Sequence, residues 1–105
     1  MEKDLSVLTE FFGENPVIKV VDFLLDNRLF DYSKKQIAEG SGLGRATLFK
    51  YWKKLEELGL LKETRRFGKT KLYKLNEENL VVKKLIELEL SLAEKTVKAE
   101  IKAVA

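Results

Sequence analysis

Residues 42–61, GLGRATLFKYWKKLEELGLL, decide how the chain is read. Leu48, Tyr51, Trp52, Leu55 and Leu58 recur at helical spacing and predict one buried face. The opposite face carries Arg45, Thr47, Phe49, Lys50, Lys53 and Lys54, with Ala46 in the first turn. The predicted helix runs from about Arg45 to Leu58, and Gly59 stops it. Phe49 is a large aromatic among cations, where water would be expected. It either meets a ligand surface or makes a satellite contact with the segment that follows.

Upstream, Ser33 followed three residues later by Gln36 forms a capping box, with Tyr32 and Ile37 at the positions of a hydrophobic staple. KKQIAEGS is therefore a short helix. Gly40, Gly42 and Gly44 crowd the turn after it, where positive φ costs glycine little. LFDYS, residues 29–33, reads as a brief extended segment. Further back, Asn15 and Pro16 supply an N-cap and a first helical residue. They start a helix that is apolar nearly all round through Val17, Ile18, Val20, Val21, Phe23, Leu24 and Leu25, as a central core helix should be. Residues 4–12 predict a short N-terminal helix with Leu5, Leu8 and Phe12 on one face and Phe11 beside it, ended by Gly13.

Downstream, residues 60–75 read as a β-hairpin. Thr64, Thr70 and Tyr73 favour strands, Phe67-Gly68 marks the tip, and Tyr73 and Leu75 point inward together. From about Asn79 to Val104 the pattern is one long helix, which would reach roughly 39 Å. It carries two apolar stripes. One is Val81, Leu85, Leu88 and Leu92; the other is Val82, Ile86, Leu90, Ala93, Val97, Ile101 and Val104. Two stripes need two partners. The expectation is one stripe on the chain's own body and the second on another subunit, with Leu5, Leu8 and Phe12 packing into the same interface.

Composition narrows the function classes. The chain has 105 residues, the size of a single domain, and is 45% hydrophobic. It contains no cysteine, hence no disulfide or thiolate metal site, and no histidine, the commonest general base and metal ligand. The reading is therefore not an enzyme, with no cofactor and no metal. No stretch approaches the roughly 20 apolar residues of a membrane span, and no signal-peptide pattern opens the chain, so a cytoplasmic protein is expected. Gln36 and Met1 are the only residues of their types, and with many Lys and Glu this is a thermophile-like composition. The net charge of +3 conceals an asymmetry. Residues 33–75 hold twelve Lys and Arg against four Glu, a net +8, while the remainder is −5. Such a basic middle points to a polyanion-binding face; basic side chains that merely solvate a helix and hairpin are the plainer alternative.

The order helix, short helix, glycine turn, amphipathic helix, basic hairpin is carried by YSKKQIAEGSGLGRATLFKYWKKLEELGLLKETRRFGKTKLYKL, residues 32–75. This stretch resembles the winged helix-turn-helix transcription regulators, particularly small archaeal ones. The likeness lies in Ile37-Ala38, Leu43, Leu48 and LEELGLL ahead of a basic hairpin. It implies a mainly α fold with a small β-hairpin wing, a DNA-binding core over residues 16–76, and dimerisation helices over 1–13 and 79–105 of a single domain. Gly44 departs from the pattern, since relatives carry a serine or threonine cap there.

The resemblance implies a homodimeric, sequence-specific double-stranded-DNA-binding regulator of transcription. The helix over residues 45–58 would enter the major groove. Arg45 and Lys50 are candidates for guanine N7 and O6, Thr47 for a phosphate or base edge, and Phe49 for a thymine methyl. Ser33, Lys34 and Lys35 sit at a helix N-terminus that favours phosphate. Arg65, Arg66, Lys69 and Lys71 of the wing would meet flanking backbone or the minor groove. A twofold dimer would read an inverted repeat. No residue set points to a small-molecule effector. Two other readings remain open: a nonspecific architectural, partition or replication protein, and a winged-helix protein-interaction module.

Overall fold

The boundaries of the helices Pro16–Asp26, Lys34–Ser41 and Arg45–Glu57 fall at residues whose chemistry sets them. The computed structural model describes residues 7–104, with side chains as far as Ala99. The order is α1 (Val7–Phe12), α2 (Pro16–Asp26), α3 (Lys34–Ser41), α4 (Arg45–Glu57), β1 (Leu61–Phe67), β2 (Thr70–Leu75) and α5 (Leu80–Val104). Leu5 lies outside the described residues.

Asn15 Oδ1 accepts the backbone N–H of Val17 at 2.8 Å and of Ile18 at 3.2 Å, and Pro16 follows without a donor to satisfy. The capping box is complete: Gln36 N–H donates to Ser33 Oγ at 3.2 Å, and Ser33 N–H donates to Gln36 Oε1 at 2.9 Å. Both α3 and α4 end in Schellman turns. Gly42 and Gly59 take positive φ, the Leu43 N–H reaches Ala38 O at 2.9 Å, and the Leu60 N–H reaches Leu55 O at 3.1 Å. Of the three glycines expected to make the turn, only Gly42 does so through positive φ. Gly40 lies inside α3, where a Cβ would stand 2.1 Å from the Phe23 ring; the helix is kept bare so that α2 can approach. Gly44 caps α4 in ordinary extended geometry, with φ −68°, and gives no side-chain bond.

The core forms around α2, which packs on α1, α3, α4 and β2. Leu8, Val20, Val21, Leu24, Ile37, Leu55, Leu60 and Val82 are fully buried. Each contributes about 1.5–3 kcal/mol relative to exposure. From α4 the predicted Leu48, Trp52 and Leu55 are buried and Tyr51 is half-buried. Leu58 is corrected: it is the C-cap residue and 43% exposed, because the chain turns away at the left-handed Gly59 that follows it. α2 also buries a polar group, Asp22, whose Oδ2 accepts the Thr9 hydroxyl of α1.

The extended segment before α3 reduces to one bridge, with Tyr32 and Tyr73 exchanging backbone hydrogen bonds at 2.9 and 2.8 Å. The hairpin pairs Leu61 with Leu75 and Phe67 with Thr70, with a bulge at Thr64 between Glu63 and Arg65. Its tip is Gly68-Lys69, one residue beyond the predicted Phe67-Gly68. Gly68 takes the positive φ that a type II′ turn requires at its first position. Tyr73 and Leu75 face inward as expected, and Trp52 meets the Tyr73 ring edge-on, with centroids 4.9 Å apart.

Asn79 opens α5. Its Oδ1 accepts the Val82 N–H at 3.1 Å, while its Nδ2 donates to Leu58 O at 2.9 Å and Gly59 O at 3.0 Å. One side chain thus caps α5 and fastens it to the end of α4. The two apolar stripes do not divide as expected. Val82, Leu85, Ile86, Leu88 and Leu92, drawn from both, pack on the chain's own core. At about 3.6 residues per turn, Val82, Leu85 and Ile86 share one side of the helix. Val81, Leu90 and Val97 are exposed. Residues 94–99 are exposed throughout, so α5 runs past the body, and the chain as a whole extends 55 × 31 × 22 Å. Among the described residues, no helix is long and apolar enough to cross a membrane.

Candidate nucleic-acid interface

The Schellman turn at Gly42 and the extended Gly44 set α4 across α3, and burial of Leu48, Trp52 and Leu55 fixes its rotation. That rotation exposes Arg45, Ala46, Thr47, Phe49, Lys50, Lys53 and Lys54. Every residue expected on the outward face is there. Among the described residues, none of the four cations of this face is ion-paired. Phe49 is 75% exposed. It walls an open concavity of about 450 Å³ between the first turns of α3 and α4, with Trp52, Ala46 and Leu48 as its apolar lining and Lys34, Lys35 and Arg45 beside them. Lys34 Nζ lies 4.7 Å from the Trp52 ring centroid and 6.0 Å from that of Phe49. The nearer Trp52 face is the stronger attraction. The cleft is therefore apolar within and cationic at its edge.

Ser33 uses an oxygen lone pair as the cap of α3 and keeps its hydroxyl proton available to an acceptor. With Lys34, Lys35, Lys69, Thr70 and Lys71 it lines a second open cleft, of about 500 Å³, between α3 and β2; Glu56 and Tyr73 complete the lining. Four ammonium groups on one cleft suit a phosphate-bearing ligand.

The wing cations differ from one another. Arg65 forms a two-pronged pair with Asp31, Nε to Oδ2 at 2.8 Å and Nη2 to Oδ1 at 3.1 Å. Arg66 pairs with Glu63 at 3.1 Å. Among the described residues, Lys69 and Lys71 form no ion pair. The Arg65 hydrogen bond, followed by that of Thr64, holds the Asp31 carboxyl down to about 2. Sequence reading treated the four cations alike and did not single out Asp31. Its position 34 residues from Arg65 gives no local signal.

The residues expected to meet a second subunit separate in the same way. Leu8 and Val82 are 0% exposed within one chain, so no partner atom can reach them, and they are withdrawn from the interface. Ile86 is partly buried in the same core. Phe12, Leu90 and Val97 are exposed, and Ala93 is half-buried. Leu5 and the side chains of Ile101 and Val104 lie outside the described residues.

Neither a protein-family model nor a curated protein sequence matches the chain. Solved structures do. Sso10a-2, a DNA-binding protein from Sulfolobus solfataricus, aligns with a TM-score of 0.52 at 20% identity, over 82% of this chain and 90% of its own. The MarR-family member ZitR of Lactococcus lactis, in complex with DNA, aligns at 0.55 and 19% identity, over 98% of this chain and 62% of its own. A MarR-family protein from Bacillus stearothermophilus aligns at 0.60 and 17% identity, over 93% and 71%. The chain spans under two thirds of the ZitR length. These likenesses agree with the order of elements derived above: the fold is a winged helix-turn-helix, mainly α, with a two-stranded wing and a long C-terminal helix.

Proposed function

We propose that the chain is a homodimeric, sequence-specific double-stranded-DNA-binding regulator of transcription. The observation that carries this is the outward face of α4: Arg45, Lys50, Lys53 and Lys54 are exposed without acidic partners among the described residues. A solvated helix face in a stable protein gains from interspersed charges of both signs, whereas a face kept uniformly basic suits a polyanion. The DNA-bound state of ZitR and the DNA binding of Sso10a-2 favour the same reading.

In this proposal α4 enters the major groove with its N-terminal end leading. Arg45 and Lys50 reach guanine N7 and O6, Thr47 a phosphate or base edge, and Phe49 a thymine methyl at the mouth of the apolar concavity. Ser33, Lys34 and Lys35 receive backbone phosphate, and the wing lies on flanking backbone or the minor groove. Residues 16–76 form the DNA-binding unit, and the terminal helices pair two copies through Phe12, Leu90, Ala93, Val97, Ile101 and Val104. Two copies related by a twofold axis place their α4 helices about 34 Å apart, on an inverted repeat. Localisation in the cytoplasm follows from this role.

Arg45→Ala and Lys50→Ala should each relax base preference at one position per half-site and cost about 1–3 kcal/mol per half-site. Equal loss on every sequence would remove both from base reading. Leu90→Glu with Val97→Glu should halve the mass measured by light scattering at low concentration; an unchanged mass would overturn pairing through α5. Nonspecific DNA architecture is the second reading, because basic side chains that meet only phosphates hold any duplex. It requires that an unrelated duplex compete as well as any selected one. A protein-interaction module would show no salt-dependent DNA binding.

A further inference from the structure

One carboxylate gathers side chains from the wing at the entrance to α3. Asp31 stands just before α3, with a side chain only 12% exposed. It receives the two Arg65 bonds described above and a third from Thr64 Oγ1 at 2.6 Å. In a regular strand Thr64 and Arg65 would point to opposite faces. The bulge between Glu63 and Arg65 lets these neighbours converge on one carboxylate. The face of the Arg65 guanidinium is also engaged, 5.0 Å from the Phe67 ring centroid. Next to Asp31, Tyr32 makes the backbone bridge to Tyr73. The hairpin is thus fastened at two consecutive residues to the segment that leads into α3.

We infer that Arg65 is a positioning residue, bracing the wing against the helix-turn-helix through Asp31, and that Lys69 and Lys71 are the wing's contacts to backbone phosphates. The second half rests on the DNA reading proposed above. Two antiparallel strands are pliant alone. A planar guanidinium gripping a carboxylate with two bonds fixes direction as well as distance, which an ammonium does not. A wing held at one pitch loses less freedom on meeting a duplex. Lys69 and Lys71, unpaired among the described residues, share the cleft with Lys34 and Lys35 and so continue the basic surface of α3 onto β2.

Asp31→Asn supplies a test of sign. It removes an anion from the basic face and releases Arg65. Were Arg65 a phosphate ligand, affinity for duplex would rise. Bracing predicts a fall of about 3–10-fold, the scale of ordering one or two side chains on binding, at an unchanged slope of log K against log salt. Arg65→Lys keeps the charge and should fall by the same factor. Lys69→Ala and Lys71→Ala should each reduce the steepness of that slope by about 0.9 per half-site, or about 1.8 for the dimer, and Arg65→Ala should leave it alone. Tighter binding by Asp31→Asn, or a slope change in Arg65→Ala equal to that of the lysine variants, overturns the inference. Amide exchange at Tyr73, whose N–H bonds Tyr32 O, reads the brace without DNA: it should quicken in Asp31→Asn, and an unchanged rate refutes bracing. Absence of wild-type binding to any duplex at low salt would overturn the DNA reading and the role of the two lysines, while the exchange result would still decide the brace.

Discussion

Replacing Asn79 by alanine tests how α4 is tied to the long C-terminal helix. Two contributions are lost. The cap on Val82 N–H is worth typically about 1 kcal/mol, within a range of roughly 0.5–2. The amide's bonds to Leu58 O and Gly59 O contribute less than two full hydrogen bonds. Gly59 O keeps Asn76 Nδ2 at 3.1 Å, and Leu58, at 43% exposure, sits where water can replace the lost donor. About 0.5–1 kcal/mol is a fair value for that share. The total is roughly 1.5–2 kcal/mol, or about 6–16 °C in Tm for a domain of this size. Asn79→Ser separates the parts, because serine caps well but carries no amide to reach the α4 carbonyls. It should recover about 1 kcal/mol and leave the remainder. The assay is urea unfolding followed by circular dichroism, at one protein concentration because association shifts apparent stability. Asn79→Ala within about 0.3 kcal/mol of wild type would refute the tie, which lies far below the value summed from the cap and amide bonds. Serine as damaging as alanine would refute the cap.

Three more perturbations address particular residues. Gly40→Ala gains about 0.8–1 kcal/mol of helix propensity but drives a Cβ to 2.1 Å from the Phe23 ring, an overpacking that costs about 1–3 kcal/mol, so a net loss near 1 kcal/mol is expected by urea unfolding. A more stable variant would mean that the ring moves aside freely. Gly44→Ser should raise stability by a few tenths of a kcal/mol, since its backbone is ordinary and its Cβ meets open space; a lowered Tm would contradict that. Glu89 is pushed above the usual carboxylate range by burial, then by Asp26 and Asp22, with Arg28 opposing. A raised folded-state pKa means that the ionised form is disfavoured in the native state. The penalty is absent at acid pH and appears as pH rises through the folded value. Glu89→Gln should therefore stabilise the protein at neutral pH, with the gain vanishing toward pH 4; a gain independent of pH would refute the electrostatic cause.

What was legible in the sequence lies within a few residues of itself. The Asn15-Pro16 start, the Ser33/Gln36 box and the stop at Gly59 are local hydrogen-bond chemistry. The buried stripe Leu48, Trp52 and Leu55 is local periodicity. Together they gave the outward face of α4 residue by residue. Leu58 misled because it fits the period yet is the cap residue at the exposed end of the helix. The rest depends on docking. Asp31 meets Arg65 only after the hairpin folds back. Gly40 looks like a turn residue until α2 lies against it. In α5 the two stripes are about equally apolar, and only contact with α1 and the core determines that Val82 turns inward and Leu90 outward.

The most direct measurement is selection of bound duplexes from a random pool, with the winning duplex titrated against salt beside a scrambled control. A dimeric regulator reading bases through α4 would return an inverted repeat, with a steep salt slope and a clear margin over the scramble. Salt-sensitive binding with no enrichment, or no binding even at low salt, would contradict it.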